Sequence, residues 1–147
     1  MKRRQRAGDP WGGQISFPGG RREAHDADLL ATAVRETHEE VAIDLAAGAE
    51  LVGQLDDVRA ISQGRPLDLV IAPYVFVLTG NATALPGDEA EQVMWAPVEP
   101  MLSGESQDTL RYEHHGTWVD MPGYRLGEHI VWGLTHRMLE SLFALLR

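Results

Sequence analysis

The sequence predicts a mixed α/β fold of the α+β kind, and three observations carry that prediction. Short apolar runs with strand character interleave with two longer segments of helical period, one early and one terminal. Clusters of Pro and Gly separate these runs without the regular spacing of a repeated βαβ series. The chain has 147 residues, 44% apolar and 24% charged, which suits one compact soluble domain over residues 1–147 with a single core.

Gln14 to Phe17 (QISF) reads as a short strand that stops at Pro18-Gly19-Gly20. From Leu29 the period becomes helical. Leu30, Ala33, Val34, Thr37 and Val41 fall on one stripe, with Asp26 or Asp28 available to cap a helix over about 29–41. Glu50 to Val58 and Leu67 to Leu78 read as strands. The second, LDLVIAPYVFVL, is long and apolar enough for a central place in a sheet, and Pro73 marks a bulge or an unpaired position. Asn81 to Gly87 is loop, Val93 to Val98 another strand, and a short helix is expected after Pro100. Residues 110–121 are expected to form a hairpin turning at His115-Gly116. The end, IVWGLTHRMLESLFALLR, reads as an amphipathic helix over about 130–146, with Trp132, Leu134, Met138, Leu142 and Leu145 toward its apolar side.

Composition excludes several function classes. A net charge of −9 argues against a general nucleic-acid binder, because phosphate backbones need basic surfaces. No run approaches the ~20 apolar residues that span a bilayer. The absence of cysteine removes disulfides, thiolate zinc sites and thiol nucleophiles, and fits a reducing, cytoplasmic location. MKRRQR is basic with no apolar run after it, so it reads as a solvated terminus and not as a secretory signal. His114-His115 and the pair His129 and His136 lack ligand spacing on a helix, so zinc is not expected. Trp11, Trp95, Trp118 and Trp132 are read as packing residues.

The chemistry concentrates in RETHEEV, residues 35–41. Like charges at helical spacing repel by a few tenths of a kcal/mol per pair, so a compensating cation is the first candidate to consider. Glu36 and Glu40 stand one turn apart on the same side of a helix, with Glu39 beside them, while the apolar stripe points elsewhere. Carboxylate oxygens are the ligands Mg²⁺ and Mn²⁺ prefer. Arg35 can grip one of these carboxylates bidentately and fix its rotamer. Alone, such an acidic triplet is more often a solvated helix face. The loop FPGG changes that reading: its Gly20 lets backbone approach a ligand closely, and a carbonyl of the turn can add an oxygen ligand.

Loop, spacer and acidic helix together, GGRREAHDADLLATAVRETHEEVAI over residues 19–43, resemble the signature of the Nudix hydrolase family. Arg35, Glu36, Glu39 and Glu40 stand at the family's invariant places. The chain departs from the pattern in a spacer one residue longer, in Asp26 where a glutamate is usual, in Thr37 for an aliphatic residue, and in Ala42 for a glycine. If that last position needs φ > 0, alanine there costs about 1 kcal/mol. Further likeness, in GGQISFPGG, LDLVIAPYVF, DEAEQVMWAPV and IVWGLTHRML, points to the coenzyme A pyrophosphatase branch and runs through most of the chain from Asp9.

The resemblance implies an α/β/α sandwich with a mixed, curved sheet, and hydrolysis of a pyrophosphate that links a nucleoside to another group. It implies Mg²⁺ or Mn²⁺ held by Glu36, Glu39, Glu40 and the Gly20 carbonyl, with Arg35 orienting Glu36. The general base would be Glu40 or Glu89, with Glu91 a second choice in the downstream loop. Gly19, Gly20, Arg21 and Arg22 would bind substrate. With coenzyme A the products would be 3′,5′-ADP and 4′-phosphopantetheine, and Arg21, Arg22 or Arg65 would meet the 3′-phosphate. The partners implied are small nucleotide-derived molecules, with no nucleic acid and no membrane. KRRQR matches only the end of an expected first strand, so a homodimer covering an open sheet edge is a further expectation. Two competing readings are another Nudix substrate (ADP-ribose, a dinucleoside polyphosphate or a damaged nucleotide) and a non-catalytic nucleotide sensor. The presence of all three signature glutamates weighs against the sensor.

Overall fold

The computed structural model describes residues 1–62, 65–114 and 116–147. The expected turn at His115 and the side chains of Arg65 and His114 lie outside the described residues. In chain order the first elements are β1 (Lys2–Arg3), α1 (Leu29–Val41), α2 (Leu45–Gly48), β2 (Ala49–Gln54), β3 (Val58–Ser62), β4 (Arg65–Ile71) and β5 (Tyr74–Leu78). They are followed by β6 (Ala90–Gln92), α3 (Val98–Leu102), β7 (Gln107–His114), β8 (Thr117–Leu126), β9 (His129–Trp132) and α4 (Gly133–Leu146). The mixed α and β content expected from the sequence is therefore present. Strands pair as β1-β6, β2-β5, β3-β4 and β7-β8-β9, and every one of these ladders is antiparallel. A parallel pair, which a mixed sheet would contain, does not occur among the described residues.

The chain divides into two compact units. The first comprises Met1–Leu55 and Ala72–Met94. Helix α1 begins where expected because Asp28, in extended conformation, accepts the Ala31 N–H on its side chain at 2.8 Å. Of the two candidate caps, Asp28 takes the role and Asp26 is left for another. Met1, Val41 and Ala90 form a small buried cluster, with Ile43 and Val93 packed against it. QISF does not make a strand: Ile15 forms an isolated bridge to Lys2, and the Ser16 N–H donates to Met1. The short reach of β1 and the breakers at Pro18 to Gly20 leave it nothing longer to pair with. The basic residues after Met1 are likewise not a solvated terminus, since Lys2 and Arg3 form β1 against β6.

The second unit comprises Asp56–Ile71 and Trp95–Arg147. Here α4 packs against β3, β8 and β9. Its buried side chains are Thr135, Leu139 and Phe143, while Leu145, expected on the apolar side, is 74% exposed. The helix starts at Gly133, later than expected, because His129–Trp132 pairs with β8, and Gly133 at φ 64 turns the chain into the helix. Tyr124 is fully buried, edge-on to Phe143 at 5.8 Å between ring centres, and its hydroxyl donates to Glu140. Trp132 lies against Tyr112, and the Arg111 guanidinium lies over Trp118. Trp95 is exposed and Trp11 half-buried.

Two expected strands are broken or displaced. LDLVIAPYVFVL is β4 and β5, interrupted at Pro73, which has no N–H to give a ladder and whose carbonyl accepts from Leu55 at 2.9 Å. The strand expected over Val93 to Val98 lies earlier, at Ala90–Gln92, where β1 supplies its partner. No described helix is long and apolar enough to cross a membrane.

Candidate active site

The functional side chains come from α1 and from the turn that precedes it. Arg35 is the hub. Its Nε and Nη2 donate to the two oxygens of Asp26 at 3.0 and 2.9 Å, a bidentate charge-assisted pair. Nη1 donates to Glu36 Oε1 at 2.9 Å and to Glu39 Oε2 at 3.0 Å, and Nη2 also reaches the Arg21 carbonyl at 3.2 Å. Asp26 in turn accepts from the Glu23 N–H at 2.9 Å and from Thr32 Oγ1 at 3.0 Å. Hydrogen bonding from Arg35 first, then from the Glu23 backbone, holds the Asp26 carboxyl well below the usual carboxylate range. The residue standing where a signature glutamate is usual is thus an anchor for the arginine that orders the next two carboxylates.

The Gly19-Gly20 turn is lodged against this helix from both sides. The Gly19 N–H donates to Glu40 Oε2 at 2.8 Å. A Cβ on Gly20 would stand 2.2 Å from Glu36 Oε1, so no larger residue fits while that carboxylate stays in place. Glu40 is only 2% exposed, so the acidic side of α1 is not uniformly open. Burial pushes its carboxyl up to about 7; the Gly19 hydrogen bond and the Arg3 charge oppose this, and Glu36 and Glu89 add to it.

Glu40 Oε1 is buried and has no hydrogen-bond partner among the described residues. An orphaned carboxylate oxygen is costly unless something positive meets it, and its nearest cation, Arg3 Nη1, is 3.7 Å away. Together with the close Glu36–Gly20 contact this fits a divalent cation drawn to the acidic side of α1. No three carboxylates or imidazoles among the described residues converge enough to enclose an ion unaided. Magnesium sites commonly need only one or two carboxylates, with waters and substrate phosphates completing the shell.

The other expected residues divide in two. Glu89 enters the neighbourhood of Glu40 from the segment before β6, with Oε1 accepting from Arg6 Nη1 at 2.8 Å and Oε2 lying 3.9 Å from Arg3 Nη2. Glu91 points to Lys2 instead, at 2.8 Å. Arg22 is spent on the turn, donating to the carbonyls of Asp26 and Ala27, whereas Arg21 is exposed and its side chain has no partner among the described residues. Sequence reasoning missed Gly87, whose N–H donates to the Glu40 carbonyl at 2.9 Å and whose missing Cβ would stand 2.1 Å from the Glu39 carbonyl oxygen. The Pro86-Gly87 breaker was its only signal. His129 stands near Glu128, and His136 beside Tyr124, where burial pushes its imidazole down.

The sequence matches the model of the NUDIX domain over residues 1–125. The chain belongs to the Nudix family. It is 33% identical over 135 residues to Nudix hydrolase 22, chloroplastic, of Arabidopsis thaliana, a match covering 86% of this chain and 42% of that protein. It is 30% identical over 135 residues to the uncharacterized Nudix hydrolase NudL of Salmonella paratyphi B, covering 88% of this chain and 65% of the relative. An uncharacterized protein of Schizosaccharomyces pombe is 34% identical over 116 residues, 77% of this chain and 35% of that protein. The Nudix chain here therefore spans less than two thirds of each of these relatives.

Proposed function

We propose that this Nudix domain is a divalent-metal-dependent pyrophosphohydrolase whose substrate is a nucleoside diphosphate linked to a second group, coenzyme A or a derivative above others. The observation that carries the proposal is the glycine turn gripped between Glu36 and Glu40, with a buried Glu40 oxygen left open. In this proposal residues 1–147 act as one domain, supported by a family match over residues 1–125 that includes part of each unit.

Glu36, Glu39, Glu40 and the Gly20 carbonyl would hold Mg²⁺ or Mn²⁺. Such ions, when bound, neutralise a diphosphate and make hydroxide available near neutral pH. The chain's own residues do the rest. Arg35 orders Glu36 and Glu39 by sharing one nitrogen between them and is itself locked by Asp26. Glu40 and Glu89 are the proton acceptors proposed for the attacking water. Arg21, whose side chain has no partner among the described residues, would receive a phosphate of the substrate; Arg22 would have to abandon the turn first. The coenzyme A reading draws its support from GGQISFPGG and IVWGLTHRML. A homodimer belongs to the same proposal, favoured by the exposed Val52 and Val77 of the two-stranded β2-β5 sheet, and sizing at micromolar concentration tests it.

The deciding experiment is a substrate panel with Mg²⁺ and with Mn²⁺. Coenzyme A is expected to yield 3′,5′-ADP and 4′-phosphopantetheine faster than ADP-ribose, dinucleoside polyphosphates or damaged nucleotides are cleaved. Glu36→Gln should keep the fold by circular dichroism and lower turnover by at least about 100-fold. Near-normal turnover in that variant refutes the ligand assignment, and nucleotide binding without any turnover by the wild type would revive the sensor reading.

A further inference from the structure

Strand β1 carries a charge that the proposed chemistry does not use. Arg3 is pinned on both sides by its backbone: its N–H donates to the Gln14 carbonyl at 2.9 Å, and its carbonyl accepts from Gly13 at 3.0 Å. Its mostly buried guanidinium faces three carboxylates from three separate stretches of chain. Nη2 lies 3.2 Å from Asp9 Oδ2 and 3.9 Å from Glu89 Oε2, while Nη1 lies 3.7 Å from Glu40 Oε1. Asp9 is itself fixed, because its other oxygen accepts the Trp11 N–H at 3.0 Å.

These contacts are unequal. The pair with Asp9 is a hydrogen bond; the approaches to Glu40 and Glu89 are charge contacts beyond hydrogen-bond range. Arg3 therefore balances Glu40 without occupying the lone pairs of Oε1, which stay unpartnered. An arginine buried for packing alone has no need of this arrangement, and one that closed the site would sit within bonding distance of the oxygen.

We propose that Arg3 is a positioning residue: anchored on Asp9, it fixes Glu40 and Glu89 relative to one another and keeps the Glu40 ligand oxygen aimed and free for a cation. This rests on the metal-dependent reading given above. Two other roles make different predictions. Direct binding of a substrate phosphate by Arg3 would show in KM. Simple repulsion of the incoming cation would make metal binding tighter once Arg3 is gone.

The test uses the full chain with Arg3→Ala, Arg3→Lys and Asp9→Asn, following Mn²⁺ binding by calorimetry and steady-state hydrolysis of the best diphosphate substrate. Arg3→Ala should weaken Mn²⁺ about tenfold and lower kcat about 10–100-fold, with KM changing by less than about threefold. Arg3→Lys keeps the charge and should restore part of both losses. Asp9→Asn loosens the anchor alone and should move both readouts the same way, by about threefold. Unchanged or tighter Mn²⁺ binding in Arg3→Ala, or a loss confined to KM, overturns the assignment. If Arg3→Ala does not fold, Asp9→Asn with wild-type metal affinity and kcat overturns it. Melts of the metal-free protein separate this from the function itself: Arg3→Ala and Glu40→Gln should be non-additive whether or not the wild type hydrolyses anything, and additivity rejects the coupling.

Discussion

Helices α1 and α4 have nearly the same length, 13 and 14 residues, yet they bury opposite things. In its unit α4 buries Thr135, Leu139 and Phe143, and the Phe143 ring is completely enclosed. In its unit α1 buries Thr32, Glu40 and Val41, one of them a carboxylate with an oxygen that no hydrogen bond reaches from the described residues. The first pattern is what hydrophobic stabilisation requires. The second costs stability, because burial disfavours the charged carboxylate and pushes Glu40 up to about 7. Under the proposed function, the buried Glu40 carboxylate and the glycine turn against the acidic side of α1 serve the cation site at the expense of packing.

The contrast is broken most directly at Phe143. Phe143→Ala removes an enclosed ring from α4 and should cost about 3–5 kcal/mol in urea or thermal denaturation. A loss below about 1 kcal/mol would mean the second unit is not held by this stripe.

The next largest effect should fall on function, with little change in stability. In Gly20→Ala the added Cβ meets the end of the Glu36 side chain first, at 2.2 Å from Oε1, and its three nearest atoms all belong to that carboxyl group. The fold can tolerate this by moving the carboxylate, so the melt should change by less than about 1 kcal/mol. Metal affinity by Mn²⁺ calorimetry and turnover should each fall about 10–100-fold. Full activity in this variant would mean that the Glu36–Gly20 contact has no bearing on catalysis.

A third measurement uses acid. The Asp26 carboxyl titrates below its unfolded value, so its contribution to stability is complete above about pH 4 and is lost as pH falls through the depressed native value. Asp26→Asn should therefore melt at a lower temperature than wild type at pH 7, and the gap should narrow by pH 3. A gap that stays constant across that range would show that Arg35 and Asp26 are not coupled as charges.

What was legible in the sequence follows the same divide. Arg35, Glu36, Glu39 and Glu40 lie within one stretch of helix, so spacing alone puts them on adjoining faces, and the glycine turn precedes them closely. The start of α1 was legible too, because an N-cap is a local event, although both Asp26 and Asp28 satisfied the pattern and only tertiary contact with Arg35 separates their roles. Arg3, Asp9 and Gly87 were not legible: each acts on α1 through pairing of segments far apart in the chain, and nothing near them in sequence records that β1 lies along β6. Periodicity also misled at LDLVIAPYVFVL, where one apolar run serves two strands in two units, and at Ile130–Trp132, where strand pairing with β8 overrides a helical pattern.

The smallest effect sharpens the comparison at the far end of α1. Ala42 has φ 57 and ψ 26, and it is the one non-glycine with positive φ among the described residues. It ends the helix in left-handed conformation, its N–H donating to the His38 carbonyl at 3.0 Å, while Leu85 and Gly87 donate to the carbonyls of Val41 and Glu40. Left-handed backbone costs an L-residue about 1–2 kcal/mol, and glycine avoids that cost but loses more entropy on folding. Ala42→Gly should therefore stabilise the protein by a net ~0.5–1 kcal/mol, raising the melting temperature by a few degrees. Because three hydrogen bonds fix this terminus independently of the side chain, turnover should stay within about twofold of wild type. If stability rises but turnover falls, the strain at Ala42 is helping to hold Glu39 and Glu40 in register. If stability falls, the left-handed end of α1 is wrong, and with it the placement of the last two carboxylates.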